Sequence, residues 1–245
     1  MSATQSYLHN FAFTVYPYIC LAVFFMGSLA RFDRDQYTWK SDSSQLLRTG
    51  TLRWGSNLFH VGILFLFFGH LFGLLTPHWL YEPFISVPNK QLLAVYSGGA
   101  AGFICFIGLS LLIYRRLFDP RIRLTSHRTD LAILIILWVQ LTLGLATLPL
   151  SLSHSDGSVM LRLSDWAQRV FTFSVGGAEG LIGIAWPFKV HLVLGMTIFL
   201  LFPFSRLVHV WSGFAAVAYL VRPYQVVRSR RLNLPEGHGQ ERARV

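Results

Sequence analysis

Long continuous apolar runs, rather than alternating ones, dominate this chain. A helix needs about 20 apolar residues to cross the hydrocarbon core of a bilayer. Five stretches qualify, approximately Phe11 to Ala30, Asn57 to Thr76, Gln91 to Tyr114, Asp130 to Leu150 and Pro187 to Trp211. They are too long and too continuous for soluble strands. The connection over residues 151–186 is longer than a turn requires. Within it Leu163, Trp166, Ala167, Val170 and Phe171 fall at helical spacing, with Arg162, Asp165 and Arg169 on another face. That pattern predicts a short amphipathic helix on the membrane surface. The expected fold is an all-α integral membrane protein. It has five transmembrane helices and a short interfacial helix between spans four and five. Residues 1–225 form a single membrane domain and residues 226–245 an Arg-rich polar tail, disordered alone or docked on a partner subunit.

Composition agrees and sets the direction. The chain is 53% hydrophobic and 13% charged, against roughly 25% charged residues in a soluble domain. No separate soluble domain is expected. A net charge of +10 would raise nucleic-acid binding in a soluble protein. Here the basic residues sit in the connections, so topology explains them and no nucleic-acid partner is expected. Five Lys or Arg follow span one, five follow span three, and seven lie from Arg206 onward. The opposite side holds only Lys90, Arg162, Arg169 and Lys189. The positive-inside rule then puts the N-terminus outside and the C-terminus in the cytoplasm. No Lys or Arg precedes the first apolar run, so that run reads as an anchored span and not as a cleavable signal. Cys20 and Cys105 both fall inside apolar runs and read as small core residues, with no disulfide or zinc site to argue from them.

Four of the nine histidines lie inside the spans: His60 and His70 in span two, His191 and His209 in span five. Ionisable groups at membrane depth are costly and mark function. Four imidazoles on two facing helices suit a metal, and in an apolar slot between helices that metal is haem iron. The spans run in opposite directions, so similar depth pairs His60 with His209 near the cytoplasm and His70 with His191 farther out. Eighteen residues are five whole turns, which puts His191 and His209 on one face, while ten residues leave His60 and His70 about 80° apart. The rises disagree, about 15 Å for ten residues and about 27 Å for eighteen. A kink at Pro203 is the expected remedy. Gly62, Gly69, Gly73 and Gly195 lie beside these histidines and would let a flat macrocycle approach. Gly69-xxx-Gly73 and Gly98-xxx-Gly102 also read as helix-packing motifs. Arg206, Arg115 and Arg116 are candidates for a haem propionate, or ordinary cytoplasmic-side arginines. His9, His127, His154 and His238 fall in loops or tails, and His78 just past the outer end of span two.

Three segments carry a closer likeness. They are "VYPYICLAVFFMGSLARFDRDQYTWKSDSSQLL" around span one, "SNLFHVGILFLFFGHLFGLLTPHW" in span two and "FKVHLVLGMTIFLLFPFSRLVHVW" in span five. With their ten- and eighteen-residue histidine spacings they closely resemble the gamma subunit of membrane-bound respiratory nitrate reductase, a diheme cytochrome b, over nearly all of the chain up to Gln225. The resemblance implies two haem b groups, one near the cytoplasm on His60 and His209, the other near the periplasm on His70 and His191. It also implies quinol oxidation beside the outer haem. Electrons would pass to an iron–sulfur beta subunit and then to a molybdenum-containing alpha subunit, where nitrate is reduced, at the bacterial inner membrane. Lys90 matches a lysine of the family's quinol site, where a cation can hydrogen-bond a quinone oxygen; read on its own it is a snorkelling boundary residue. His78, Tyr81 and Gly69 are weaker candidates for that pocket.

Two other readings stay open on sequence. One is the cytochrome b of another quinone-linked complex, such as a hydrogenase, formate dehydrogenase or heterodisulfide-reductase-like system. The other is a haem-free membrane protein whose histidines relay protons. Such relays normally include buried carboxylates, and here Asp130 lies only at a span edge. No Cys-x-x-Cys-His word points to covalent haem attachment.

Overall fold

A computed structural model describes residues 3–35, 39, 49–174 and 176–212. The basic tail expected over residues 226–245 and His238 lie outside them. Among the described residues the chain is helical throughout, with no strand. The helices are α1 (Ala3–Asn10), α2 (Tyr16–Asp35), α3 (Thr49–Leu75), α4 (His78–Tyr81), α5 (Val87–Phe118), α6 (Pro120–Thr125), α7 (Arg128–Ser153), α8 (Ser158–Phe171), α9 (Gly177–Gly180) and α10 (Trp186–Leu201). Five stretches are long and apolar enough to cross a membrane: Thr4–Arg34, Leu52–Leu75, Val87–Phe118, Arg128–Ser153 and Trp186–Phe204. They match the five expected spans to within a few residues at most ends. Large side chains such as Phe65, Phe68 and Phe72 point outward. That is the surface of a bundle whose solvent is hydrocarbon, where backbone groups must be satisfied within each helix.

The first span starts earlier than hydropathy alone predicts. α1 leads into it through a π-helical turn over Phe11–Val15, just before Pro17, which lacks a backbone donor and crowds the preceding turn. His9, expected in a tail, is therefore helical. It is 8% exposed and donates from Nε2 to the Ala178 carbonyl at 2.8 Å.

α3 packs along α5, α5 along α7, and α10 sits against both α2 and α7. The α3–α5 contact is close because glycines face one another. A Cβ on Gly62 would come within 2.6 Å of the Cys105 Cβ and 2.8 Å of the Ala101 carbonyl oxygen. Gly62 is thus a helix-packing residue, and the sequence expectation that it makes room for a macrocycle is corrected. Gly69, Gly73 and Gly98 have nothing within 4 Å of such a Cβ, so neither small-residue motif acts as a complete intrachain contact. One core forms where α5 meets α7, around Cys105, Leu109, Leu134 and Leu141.

A second core closes one end of the bundle. Phe13, Trp166, Ala178, Leu181, Ile184 and Phe188 are buried together there. The amphipathic segment foreseen between spans four and five is α8. Its Trp166 turns inward and donates from Nε1 to the Phe13 carbonyl at 2.9 Å. Arg162 donates to the Gly180 and Ile182 carbonyls and so ties down the end of α9. Gln168 donates to the Leu74 carbonyl at 2.9 Å, where α3 runs out of helical donors.

The fifth span is not one helix. α10 ends at Leu201 and gives way to two 3-10 turns, Phe202–Phe204 and Arg206–Val208, separated by extended Ser205. Pro203 cannot continue the ladder. The carbonyls freed at the break, Pro203 O and Ser205 O, accept from Arg31 of α2 at 2.7 and 2.9 Å. Pro203 itself seats against Gly27, where a Cβ would lie 2.8 Å from the proline Cγ. The break falls between the two histidines of the span, at the proline where a kink was expected. His209 does not sit five regular turns below His191, so the shared-face argument from unbroken turns is replaced by this local geometry.

Candidate functional site

α3 and α10 are not a tightly packed pair, and the four span histidines meet across the space between them. The His60 and His209 ring centroids are 6.4 Å apart, and those of His70 and His191 are 6.2 Å apart. The pairing is the one that chain direction predicts. Two imidazoles bound end-on to one metal ion, at about 2 Å with ring centres about 1 Å farther back, have centres roughly 6 Å apart.

The outer nitrogens of the rings are equally informative. His60 Nδ1 lies 2.7 Å from the Ser56 carbonyl, His70 Nδ1 2.7 Å from Leu66 O, His191 Nδ1 3.1 Å from Gln140 O, and His209 Nδ1 2.6 Å from Arg206 O. A carbonyl can only accept, so each ring carries its proton on Nδ1. That leaves the Nε2 lone pair of His60, His70 and His209 for a metal, the second-shell arrangement usual for metal-binding histidines, while at His191 the Gln140 amide nitrogen stands 3.5 Å from Nε2. Among the described residues no group of three or more His, Cys, Asp or Glu is placed to hold an ion. Two imidazoles alone are a poor cage for a bare ion, but they complete the coordination of an iron that brings four porphyrin nitrogens of its own.

Three of these rings use a carbonyl within four residues on their own chain segment. His191 uses α7. Its ring lies against Gly144, where a Cβ would be 2.9 Å from Cε1. The Gln140 side chain donates to the His191 carbonyl at 3.0 Å and passes over Gly195, whose Cβ would lie 3.1 Å from the amide nitrogen. Gly195 therefore accommodates Gln140, which corrects its expected role beside a macrocycle. Gln140 and Gly144 escape sequence reasoning: their one signal is a polar residue and a glycine at i, i+4 on an otherwise apolar span.

Comparison with known proteins is decisive. The family described as nitrate reductase gamma subunit matches residues 9–230. The chain belongs to this family. It is 53% identical over 226 residues to the respiratory nitrate reductase 1 gamma chain of Escherichia coli (strain K12), covering 92% of this chain and 100% of that one. It is 54% identical to the respiratory nitrate reductase 2 gamma chain of the same organism, covering 92% and 99%. The nitrate reductase gamma chain of Bacillus subtilis (strain 168) is 36% identical over 217 residues, covering 88% and 96%.

Within this gamma subunit Lys90 is not in a loop. It lies in the first turn of α5, with its Nζ 3.6 Å above the Tyr81 ring centre. The ammonium is buried and donates to no protein acceptor. A cation so placed is held by the ring face and has its hydrogen-bonding capacity free. His78 stands edge-on to the same tyrosine at 5.3 Å and pairs with Glu82 at 3.4 Å. Burial pushes the Tyr81 phenol up from its ordinary pKa. Gly69 lines an apolar groove with Val61, Leu64, Phe65, Phe68 and Phe72.

At the other, basic end of the bundle, Arg116 and Arg206 converge on Asp130. Arg115 is buried nearby in sequence, at 5% exposure. Arg206 thus meets a carboxylate of its own chain, and it is linked to His209 through the carbonyl that takes the His209 Nδ1 proton.

Proposed function

We propose that this chain is the membrane-anchoring, quinol-oxidising cytochrome b subunit of a respiratory nitrate reductase, with two haem b groups. The observation that carries the reading is the pair of imidazole couples at 6.4 and 6.2 Å, all four with Nδ1 committed to a carbonyl. His60 and His209 hold the haem nearer the cytoplasm; His70 and His191 hold the one nearer the periplasm. The N-terminus is outside and the C-terminus in the cytoplasm of the bacterial inner membrane. When bound, the haems supply one-electron redox chemistry at irons held by neutral imidazoles.

The protein's own groups do the rest. Each backbone carbonyl fixes one ring's tautomer and plane. The apolar faces of α3 and α10 exclude water and keep the potentials and electron path inside the bundle. Lys90 Nζ, stacked on Tyr81, hydrogen-bonds a quinol oxygen at the outer rim and stabilises its anionic form once a proton has left. Tyr81 keeps its own proton at neutral pH and serves as the platform. Arg116 and Arg206 offer positive charge at the opposite end, where haem propionates need it. Electrons leave at that end to an iron–sulfur beta subunit and reach nitrate in a molybdenum-containing alpha subunit.

A dithionite-reduced minus oxidised spectrum of the purified membrane protein, with a haem-to-chain count, tests this. Two b-type haems per chain are expected. A folded preparation from haem-replete cells that carries none would remove the electron-transfer reading.

A further inference from the structure

Asp130, in the first turn of α7, is only 7% exposed. Its Oδ2 takes Arg116 of α5 at 3.5 Å and Arg206 at 3.3 Å. Arg116 also donates to Ser126 Oγ at 3.0 Å. One carboxylate thus ties α5 and α7 to the broken end of the fifth span. It neutralises only one of the two guanidiniums, and low exposure leaves the remaining charge weakly screened. Arg206 stands in a three-residue 3-10 turn after extended Ser205, so no α-helical ladder holds its backbone. Yet its carbonyl is the one that accepts the His209 Nδ1 proton at 2.6 Å.

We infer that Asp130 is a positioning residue for the His60–His209 site. It anchors Arg206, and through the Arg206 carbonyl the His209 ring, and its negative charge lowers the potential of the iron held there. The outer pair has no counterpart, because His191 takes its carbonyl from the middle of regular α7. The inference rests on the haem reading above and assigns a role to a carboxylate which that reading does not use.

The test is a potentiometric titration of both haems, followed optically and by EPR, in the assembled complex carrying D130N. Both haems are expected to remain. The midpoint of the inner one should move upward, since losing a nearby negative charge favours the reduced, less positive iron. Its low-spin EPR signal should shift as the His209 ring loosens, while the outer haem keeps both its potential and its signal. D130E, which retains the charge, should return the inner potential close to native. An unmoved inner potential in D130N, or equal movement of both haems, overturns the inference. If D130N does not accumulate in membranes, R116Q is titrated instead. It removes positive charge from the same carboxylate, so the inner potential should fall, and no movement or a rise overturns the inference. Absence of haem from the native protein would fail the earlier reading instead, before any variant is compared.

Discussion

The two histidine pairs are carried by the same two spans but held in different ways. At the His70–His191 pair, α10 is a regular helix. The His191 ring is fixed from outside its own span, by a carbonyl and an amide of α7 and by the missing side chain of Gly144. At the His60–His209 pair the span has broken after Leu201, and α-helical turns resume only at His209 itself. His209 depends on a short 3-10 turn, fastened to α2 through Arg31 and Pro203 and to α7 through Asp130. One site is thus positioned by helix packing and the other by polar bonds to an irregular segment. A continuous helix would place two histidines eighteen residues apart about 27 Å apart along its axis. Matching them to partners only ten residues apart calls for a tilt or a bend in the span, and the helix breaks at Pro203. Irregular backbone at membrane depth is tolerated only where protein satisfies it, which is what Arg31 does.

The largest effects will test whether the pairs are independent. Replacing His70 or His191 with alanine should leave one haem per chain, the inner one, and stop quinol-driven reduction. Replacing His60 or His209 should leave the outer haem, reducible by quinol but with no onward transfer. Haem counts and spectra of the four variants decide the matter. A His60 variant that keeps two haems breaks the pairing.

Gly144→Val sharpens the contrast next. A Cβ there already meets His191 Cε1 at 2.9 Å, and the branched side chain must displace the ring from its α7 carbonyl. Overpacking of this kind costs about 1–3 kcal/mol. The outer haem should be lost or fall below half occupancy, with the inner haem intact in the spectrum. Equal loss of both would mean that the sites are not held separately.

The pairing itself was readable from the sequence, because span direction and depth are set by hydropathy and by Lys and Arg counts, both local properties. The need for a kink was readable too, from helical rise and one proline. What satisfies the kink was not. Gly27 and Arg31 lie more than 170 residues from Pro203, and nothing in their own neighbourhood marks them. Glycines were the least legible residues. Gly62 and Gly195 follow histidines closely, yet one packs against α5 and the other clears space for Gln140. A glycine's purpose is decided by what crosses it, and a single sequence does not contain that neighbour. Asp130 looked like a span-edge carboxylate because its two arginine partners come from other elements.

Lys90→Ala probes the outer end alone. A hydrogen bond to a charged group contributes about 1.5–3 kcal/mol, so quinol-driven haem reduction should slow by roughly 10- to 100-fold. Both haems should stay, with unchanged spectra. Stopped-flow reduction by a quinol analogue measures this, and an unchanged rate would return Lys90 to the role of a boundary cation on Tyr81. The inner site, at the far end of the bundle, should show no change in its dithionite-reduced spectrum.

The smallest effect isolates the cross-helix support of His191. Gln140→Leu removes the 3.0 Å bond to the His191 carbonyl but leaves the Gln140 backbone carbonyl that takes the His191 Nδ1 proton. A neutral hydrogen bond contributes about 1 kcal/mol, and the leucine fills most of the space. The outer haem should therefore be retained, with a small shift in its EPR signal and none in the inner one. Ser56→Ala is the matched control at the inner pair. Ser56 Oγ lies 3.2 Å from His60 Nδ1, but the Ser56 carbonyl at 2.7 Å already takes that proton. Its removal should stay within about 0.5 kcal/mol, as for most surface substitutions, and leave both EPR signals in place. If Gln140→Leu were as silent as Ser56→Ala, the α7 carbonyl and Gly144 would suffice to orient His191. The difference between the two sites would then rest on backbone geometry alone.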